Sequence, residues 1–224
     1  LNRPLPSGDI SLNNAKFLTA ILMCFSLFCL VYAGYISSSI EDGFENWAPS
    51  ILIWLLAIFL LTNYESSSNY SLKLKDRGLP GNFAISLSVG MVILFGAAGV
   101  FEPTEPRVLS LFFIGISYNL AREIVKDIED MEGDEGRNTL AMRIGVEKAR
   151  VLAWMILLLT MVSILAPFAL EIFPASHLLL IIPGLMTIFL VKRKLAYAED
   201  RNAQKLIKKS LQLTLLGFIV SSLI

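Results

Sequence analysis

Seven runs of apolar residues, each roughly 14 to 20 long and separated by polar stretches, restrict this chain more than any other feature. Hydrocarbon offers no water to a backbone amide, so a chain crossing it must be helical or close into a barrel. A spanning helix needs about 20 predominantly apolar residues, with about 17 as a practical lower limit. The runs predict spans over Lys16–Ile36, Trp47–Tyr64, Phe83–Val100, Arg107–Glu123, Val151–Leu170, His177–Val191 and Leu211–Ile224. The shorter ones must borrow flanking residues or be shielded by neighbours. Composition agrees: 55% of the 224 residues are hydrophobic and 17% charged, where soluble domains sit at about 45–50% and about 25%. The predicted fold is all-α, a polytopic transmembrane helix bundle around a central cavity.

The charges orient the spans. There are 19 Lys and Arg against 19 Asp and Glu, so the total is zero and makes no case for a nucleic-acid partner. With the N-terminal segment placed in the cytoplasm, 18 of the 19 basic residues fall on inner segments and Arg107 alone falls outside. The outer loops carry Glu41, Asp42, Glu45, Glu102, Glu105 and Glu171 instead. That asymmetry follows the positive-inside rule and predicts a multi-pass protein of the cell membrane with its ionisable chemistry toward the cytoplasm. The basic run Lys192–Lys209 is expected to touch anionic headgroups of the bilayer. Trp47, at an outer boundary, reads as an interfacial anchor. Cys24 and Cys29 sit about 140° apart on one helix, cannot pair, and read as small core residues. His177 reads as a surface histidine.

The segment Ala121-Arg-Glu-Ile-Val-Lys-Asp127-Ile-Glu-Asp130-Met-Glu-Gly-Asp134 leaves the inner end of the fourth span. At about 100° and 1.5 Å per residue, Asp127, Asp130 and Asp134 share a sector of about 60° and extend over about 10 Å. Asn119 and Glu123 continue the stripe toward the membrane. Like charges at this spacing repel, and the end of the helix dipole disfavours anions. An oxygen-seeking divalent cation offsets both effects. Mg²⁺ takes one or two carboxylates together with phosphate oxygens and waters. Spacing alone leaves the plainer reading open, an acidic helix end that is simply solvated.

The run Arg122-Glu123-Ile-x-Lys126-Asp127-Ile-x-Asp130-x-x-Gly133-Asp134, followed by Thr139-Leu140-Ala141 and Gly145, resembles the second aspartate-rich motif of the UbiA superfamily of intramembrane prenyltransferases. Asn2-Arg3-Pro4-Leu5-Pro6-Ser7-Gly8-x-Ile10-Ser11 is similar to the segment downstream of that family's first motif. Tyr70-Ser-Leu-Lys73-Leu-Lys75, ending in Gly81-Asn82, resembles its Tyr/Lys loop. The resemblance covers essentially the whole chain. It implies one transmembrane prenyltransferase domain over residues 1–224, nine helices rather than seven, and an opposed carboxylate motif upstream of Asn2. The sequence is then expected to be the downstream part of a longer protein.

The resemblance also implies a chemistry: Mg²⁺-dependent transfer of a prenyl group from its diphosphate to a hydrophobic, lipid-like acceptor. Asp127, Asp130 and Asp134 would hold the metal, and Lys73, Lys75 and Arg77 would meet the diphosphate. Lys73 and Lys75 join Asp127 and Asp130 as the expected catalytic groups, with Asn119, Arg122, Glu123 and Lys126 as further substrate-binding residues. Lys126 lies about 100° off Asp127 and Arg122 further, so either could brace neighbouring loops instead. Phe112, Phe113 and Tyr118 could line an apolar pocket for an allylic cation, although ordinary helix packing explains each of them. Within the superfamily the motifs look most like those of archaeal ether-lipid enzymes, which add a second geranylgeranyl chain to geranylgeranylglyceryl phosphate. An aromatic or porphyrin acceptor is the second reading. From another class, a transporter or a non-catalytic helical protein competes, but no internal repeat supports it. Oligomeric state is not legible in the sequence.

Overall fold

The computed structural model describes residues 4–65, 71–131 and 138–224, and its long elements are all helical. They are α1 (Leu12–Ser37), α2 (Pro49–Glu65), α3 (Leu79–Ala98), α4 (Pro106–Asp130), α5 (Val146–Ala169), α6 (Leu178–Ala196) and α7 (Asp200–Leu223). A short helix, Gly43–Trp47, leads into α2, and another, Leu140–Ile144, precedes α5. Among the described residues seven helices are long and apolar enough to cross a membrane, the number that the apolar runs predict. Local sequence starts them. Ser11 caps α1 by accepting the Asn14 amide at 3.2 Å. Glu105 accepts the Val108 amide at 3.1 Å, with Pro106 in the first turn of α4.

The helices outrun the apolar segments at one end of the bundle. α4 continues past Glu123 to Asp130, α5 begins at Val146 rather than Val151, and α7 begins at Asp200 rather than Leu211. Hydropathy marks where hydrocarbon stops, whereas intrahelical hydrogen bonding carries on into the headgroup layer. The stretch Lys192–Ser210, which reads as a polar connection, is therefore two helix ends joined through residues 197–199.

α4 is the centre of the core, with Ile114, Tyr118, Ala121, Ile124 and Val125 fully buried. Against α3 it meets a row of small or polar residues four apart, Asn82, Ser86 and Gly90. A Cβ on Gly90 would stand 2.6 Å from the Ile116 side chain. On another face the Tyr118 hydroxyl lies 2.8 Å from Ser210 Oγ and 2.9 Å from Thr214 Oγ1, both on α7. Ser210 in turn donates to the Gly184 carbonyl of α6 at 2.7 Å. α6 and α7 approach closely because Gly184 faces Thr214 and Gly217 faces the Leu180 carbonyl. Small residues and interhelical hydrogen bonds of this kind hold membrane helices together where lipid removes the hydrophobic incentive.

Several expectations are corrected. Trp47 is no interfacial anchor: it is buried against Gly34 of α1, whose missing side chain makes room for the ring. Cys24 and Cys29 are exposed rather than core residues, because α1 buries only Leu30, Gly34 and Ser37. Tyr118 lies nine residues before Asp127, about 180° round the helix, and points away from the carboxylates. Phe113 is exposed, so of the three aromatic candidates only Phe112, beside Gly90, faces α3. His177 is half-buried, with Nδ1 2.9 Å from Ser221 Oγ.

Candidate active site at the charged end

Interhelical polar contacts gather the charged ends of α3 to α7 at one end of the bundle. Asn82, in the first turn of α3, is buried and donates from Nδ2 to Asp127 Oδ2 at 3.0 Å. Arg150 of α5 meets Asp200 of α7 in a two-pronged pair, Nε to Oδ1 at 2.9 Å and Nη2 to Oδ2 at 2.6 Å. Arg201 approaches Glu129 at 3.7 Å, and Lys194 donates to Glu199 at 2.7 Å. At the opposite end Arg107 sits over the Phe173 ring, 5.5 Å from its centroid.

The stripe on α4 keeps the order its spacing predicts. Asp127 and Asp130 are half-buried one turn apart, and Asp134 lies outside the described residues. Asn119 is buried two turns deeper, and its Nδ2 reaches Ser86 Oγ of α3 at 3.4 Å. α3 thus faces the stripe at two levels, holding Asp127 with a side-chain amide and Asn119 with a hydroxyl.

Glu123 is buried between those levels, and its charge is answered twice. Arg122 Nη1 donates to Oε1 at 2.7 Å and Lys126 Nζ to Oε2 at 3.4 Å. A carboxylate removed from water needs such partners. Two cations on one anion leave this trio net positive, directly beside Asp127 and Asp130. Arg122 and Lys126, expected as substrate ligands, are therefore oriented by Glu123 within the helix rather than bracing loops.

The basic residues of the Tyr/Lys loop reach the same place through tight backbone geometry. Lys73 takes up φ 46°, uncommon for a side chain that size, and opens a 3₁₀ turn over Leu74–Arg77. Gly78 follows at φ 67°, and Gly81 has no room for a Cβ beside the Leu74 carbonyl. The turn therefore folds down onto the start of α3. Lys73 and Arg77 are exposed and Lys75 half-buried, and Arg77 stands five residues before the asparagine that holds Asp127. Thr139, which opens the helix after the acidic run, has a buried hydroxyl with no hydrogen-bond partner among the described residues.

A magnesium ion suits this donor set. Among the described residues no three His, Cys, Asp or Glu side chains gather into a protein-only cage. Asp127 and Asp130 provide hard oxygens, and Mg²⁺ is content with one or two carboxylates when phosphate oxygens complete its shell. A zinc site would require nitrogen or sulfur ligands of a kind absent from this stripe.

Ser86 is a site residue that the sequence did not single out, and Asn82, quoted only as the end of the Tyr/Lys loop, was given no role there. Their signal was present: polar side chains four apart at the head of an otherwise apolar run.

Comparison with known proteins agrees with the fold. Residues 1–216 match the UbiA prenyltransferase family. A digeranylgeranylglyceryl phosphate synthase of Methanocaldococcus jannaschii is 33% identical over 99% of this chain and 73% of its own length. Proteins of the same name from Haloquadratum walsbyi and Korarchaeum cryptofilum are 32% and 30% identical, each over 97% of this chain and over 70% and 73% of their own lengths. A solved structure of a membrane digeranylgeranylglyceryl phosphate synthase superposes with a TM-score of 0.68 at 30% identity, covering 98% of this chain and 73% of that one. The chain belongs to the UbiA prenyltransferase family and is a multi-pass membrane prenyltransferase.

Proposed function

We propose that this protein transfers a geranylgeranyl group from its diphosphate to geranylgeranylglyceryl phosphate, forming the second ether bond of an archaeal-type lipid at the cytoplasmic face of the cell membrane. The observation that supports this most is the 30–33% identity to three synthases of that name across at least 97% of the chain. Placement of the charges supports the orientation, since 18 of 19 basic residues fall on the carboxylate side. Donor and acceptor both partition into lipid, so a site at the bundle's charged end lets their heads meet charge while their chains stay in hydrocarbon.

In the reaction the allylic C–O bond breaks and its electron pair leaves with the diphosphate. The acceptor's hydroxyl oxygen closes on the freed carbon, and its proton passes to water at the mouth of the site. Mg²⁺, held by Asp127 and Asp130 together with Asp134, would neutralise the leaving group. Asn82 fixes the Asp127 carboxylate for that role. Lys73, Lys75 and Arg77 would add donors on the other side of the diphosphate. Glu123 aims Arg122 and Lys126, leaving one positive charge in excess near the phosphates. The opposed carboxylate motif that the family resemblance implies would complete the clamp from upstream of Asn2.

The test is to supply full-length protein with labelled geranylgeranyl diphosphate and each acceptor in turn, with and without Mg²⁺. Ether product from geranylgeranylglyceryl phosphate, lost on chelation, is the expected outcome. Product with an aromatic acid and none with the glyceryl phosphate would overturn the acceptor while leaving the class intact.

A further inference from the structure

Arg143 lies outside the aspartate stripe and outside the basic turn, yet it ties that turn to the segment that follows the stripe. Its Nη2 donates to the Asp76 carbonyl at 3.1 Å, 67 residues away in sequence. Its Nε donates to the Asn138 carbonyl at 3.2 Å and to Asn138 Oδ1 at 2.9 Å. The aliphatic stem lies along Gly78, where a Cβ would stand 3.6 Å from Arg143 Cδ and 3.4 Å from the Leu140 backbone. One side chain thus joins the turn bearing Lys73, Lys75 and Arg77 to the segment into which the carboxylate helix leads.

We propose that Arg143 is a positioning residue that fixes the basic turn against the segment following the carboxylate helix, and so tunes affinity for the diphosphate head of the donor. The proposal rests on the prenyltransferase reading above. The guanidinium fork suits the task, because its donors point in fixed directions toward two backbone carbonyls at once. A lysine in its place could satisfy one segment but not span both with the same geometry. Backbone carbonyls are the acceptors, so the link does not depend on the side chain at position 76. Gly78 serves the same contact from the other side: its φ of 67° disfavours any side chain, while a Cβ there would only touch the Leu140 backbone at an ordinary 3.4 Å.

The experiment compares full-length wild type with Arg143→Gln, Arg143→Lys and Gly78→Ala in three readouts. Steady-state kinetics should show the KM for the prenyl diphosphate rising about five- to tenfold in Arg143→Gln, as expected for losing two or three hydrogen bonds of ordinary strength. The KM for the acceptor should stay within about twofold, and Arg143→Lys should recover part of the loss. Equilibrium binding of inorganic diphosphate with Mg²⁺ should weaken in parallel. Amide hydrogen exchange without substrate should speed up in both 71–78 and 138–145 in Arg143→Gln. Gly78→Ala, which strains the basic turn through its positive φ and so loosens the same junction by a different route, should reproduce the donor-selective change.

Faster exchange confined to 138–145, or equal rises in donor and acceptor KM, would overturn the proposal and leave Arg143 a local helix brace. If wild type converts no prenyl diphosphate at all, the prenyltransferase reading fails instead, and hydrogen exchange still decides whether the link exists.

Discussion

α1 and α2 differ from α3 to α7 in almost everything except hydropathy. The apolar window of α1 is 11% buried and that of α2 17%, against 50% for both α3 and α4. A groove of about 490 Å³ opens between α1 and α2, lined by Leu27, Val31, Phe44, Ile51 and Trp54 among others. Among the described residues the connected apolar core is drawn from α4 onward, and α3 joins it through its small and polar face against α4. The difference shows that being apolar and being packed are separate properties in a membrane. Hydrocarbon and a further helix would satisfy the side chains of α1 equally well, so its apolar pattern does not say what covers it. Helices α3 to α7 fit one another through Asn82, Ser86 and Gly90, through Gly184 and Gly217, and through Tyr118 with its two hydroxyl partners.

The largest effect that sharpens this contrast concerns chemistry. Asp130→Asn should lower turnover by about 10²- to 10³-fold, the scale seen when one preorganised electrostatic group is removed from an active site. Its thermal unfolding in detergent should hold steady or rise slightly, because one of several like charges on the stripe has gone. A drop in both together would mean that the stripe is structural.

Next in size is a pair of glycines. Gly217→Ala puts a Cβ 2.5 Å from the Leu180 carbonyl, and backbone must move, for about 1–3 kcal/mol of destabilisation. Gly34→Ala puts one 2.6 Å from the Trp47 ring, which can swing toward lipid, so less than about 1 kcal/mol is expected. Equal losses in denaturant or thermal unfolding would erase the distinction between the two regions. A smaller step is Tyr118→Phe, which strips the shared partner from Ser210 and Thr214. It should cost about 0.6–1.7 kcal/mol, the range of interhelical hydrogen bonds in bilayers, with donor KM unchanged.

The smallest effect is one of pH. Hydrogen bonds from Lys194, then from Asn202, hold the Glu199 carboxyl below the usual glutamate value. Its folded-state value is depressed, so the contribution to stability is present above the ordinary glutamate pKa and is lost as pH falls through the lowered one. Glu199 is partly exposed and its ion pair is screened by solvent, so Glu199→Gln should flatten the acid limb of a melting-temperature profile only slightly. A large change there would place this loop among the determinants of the packed region.

Much of this was legible in the residues. Seven apolar runs gave seven helices, and the 3.6-residue period put Asp127 and Asp130 on one stripe while setting Tyr118 opposite them. What failed was local context. Trp47 looked like an anchor because its partner, Gly34, shows in sequence only as a gap in an apolar run. Cys24 and Cys29 looked buried because an apolar pattern does not say whether a helix of the described chain covers it. Helix ends were misplaced where charged residues continue a helix beyond hydrocarbon, as in Asp200–Ser210. The Asn82–Asp127 bond joins residues 45 apart, a pairing that no local pattern encodes.

The two sides of α4 also differ in when their partners exist. Asn82, Ser86 and Gly90 belong to α3, the helix made just before α4, whereas Ser210 and Thr214 belong to α7, the last. A ribosome threading this chain into the bilayer therefore delivers the Asn82–Asp127 contact as soon as one hairpin is inserted. Tyr118 must wait, its hydroxyl without Ser210 or Thr214, until three more helices have followed. The face of α4 that carries the carboxylates can be set early in synthesis, and its opposite face is locked only once α7 arrives.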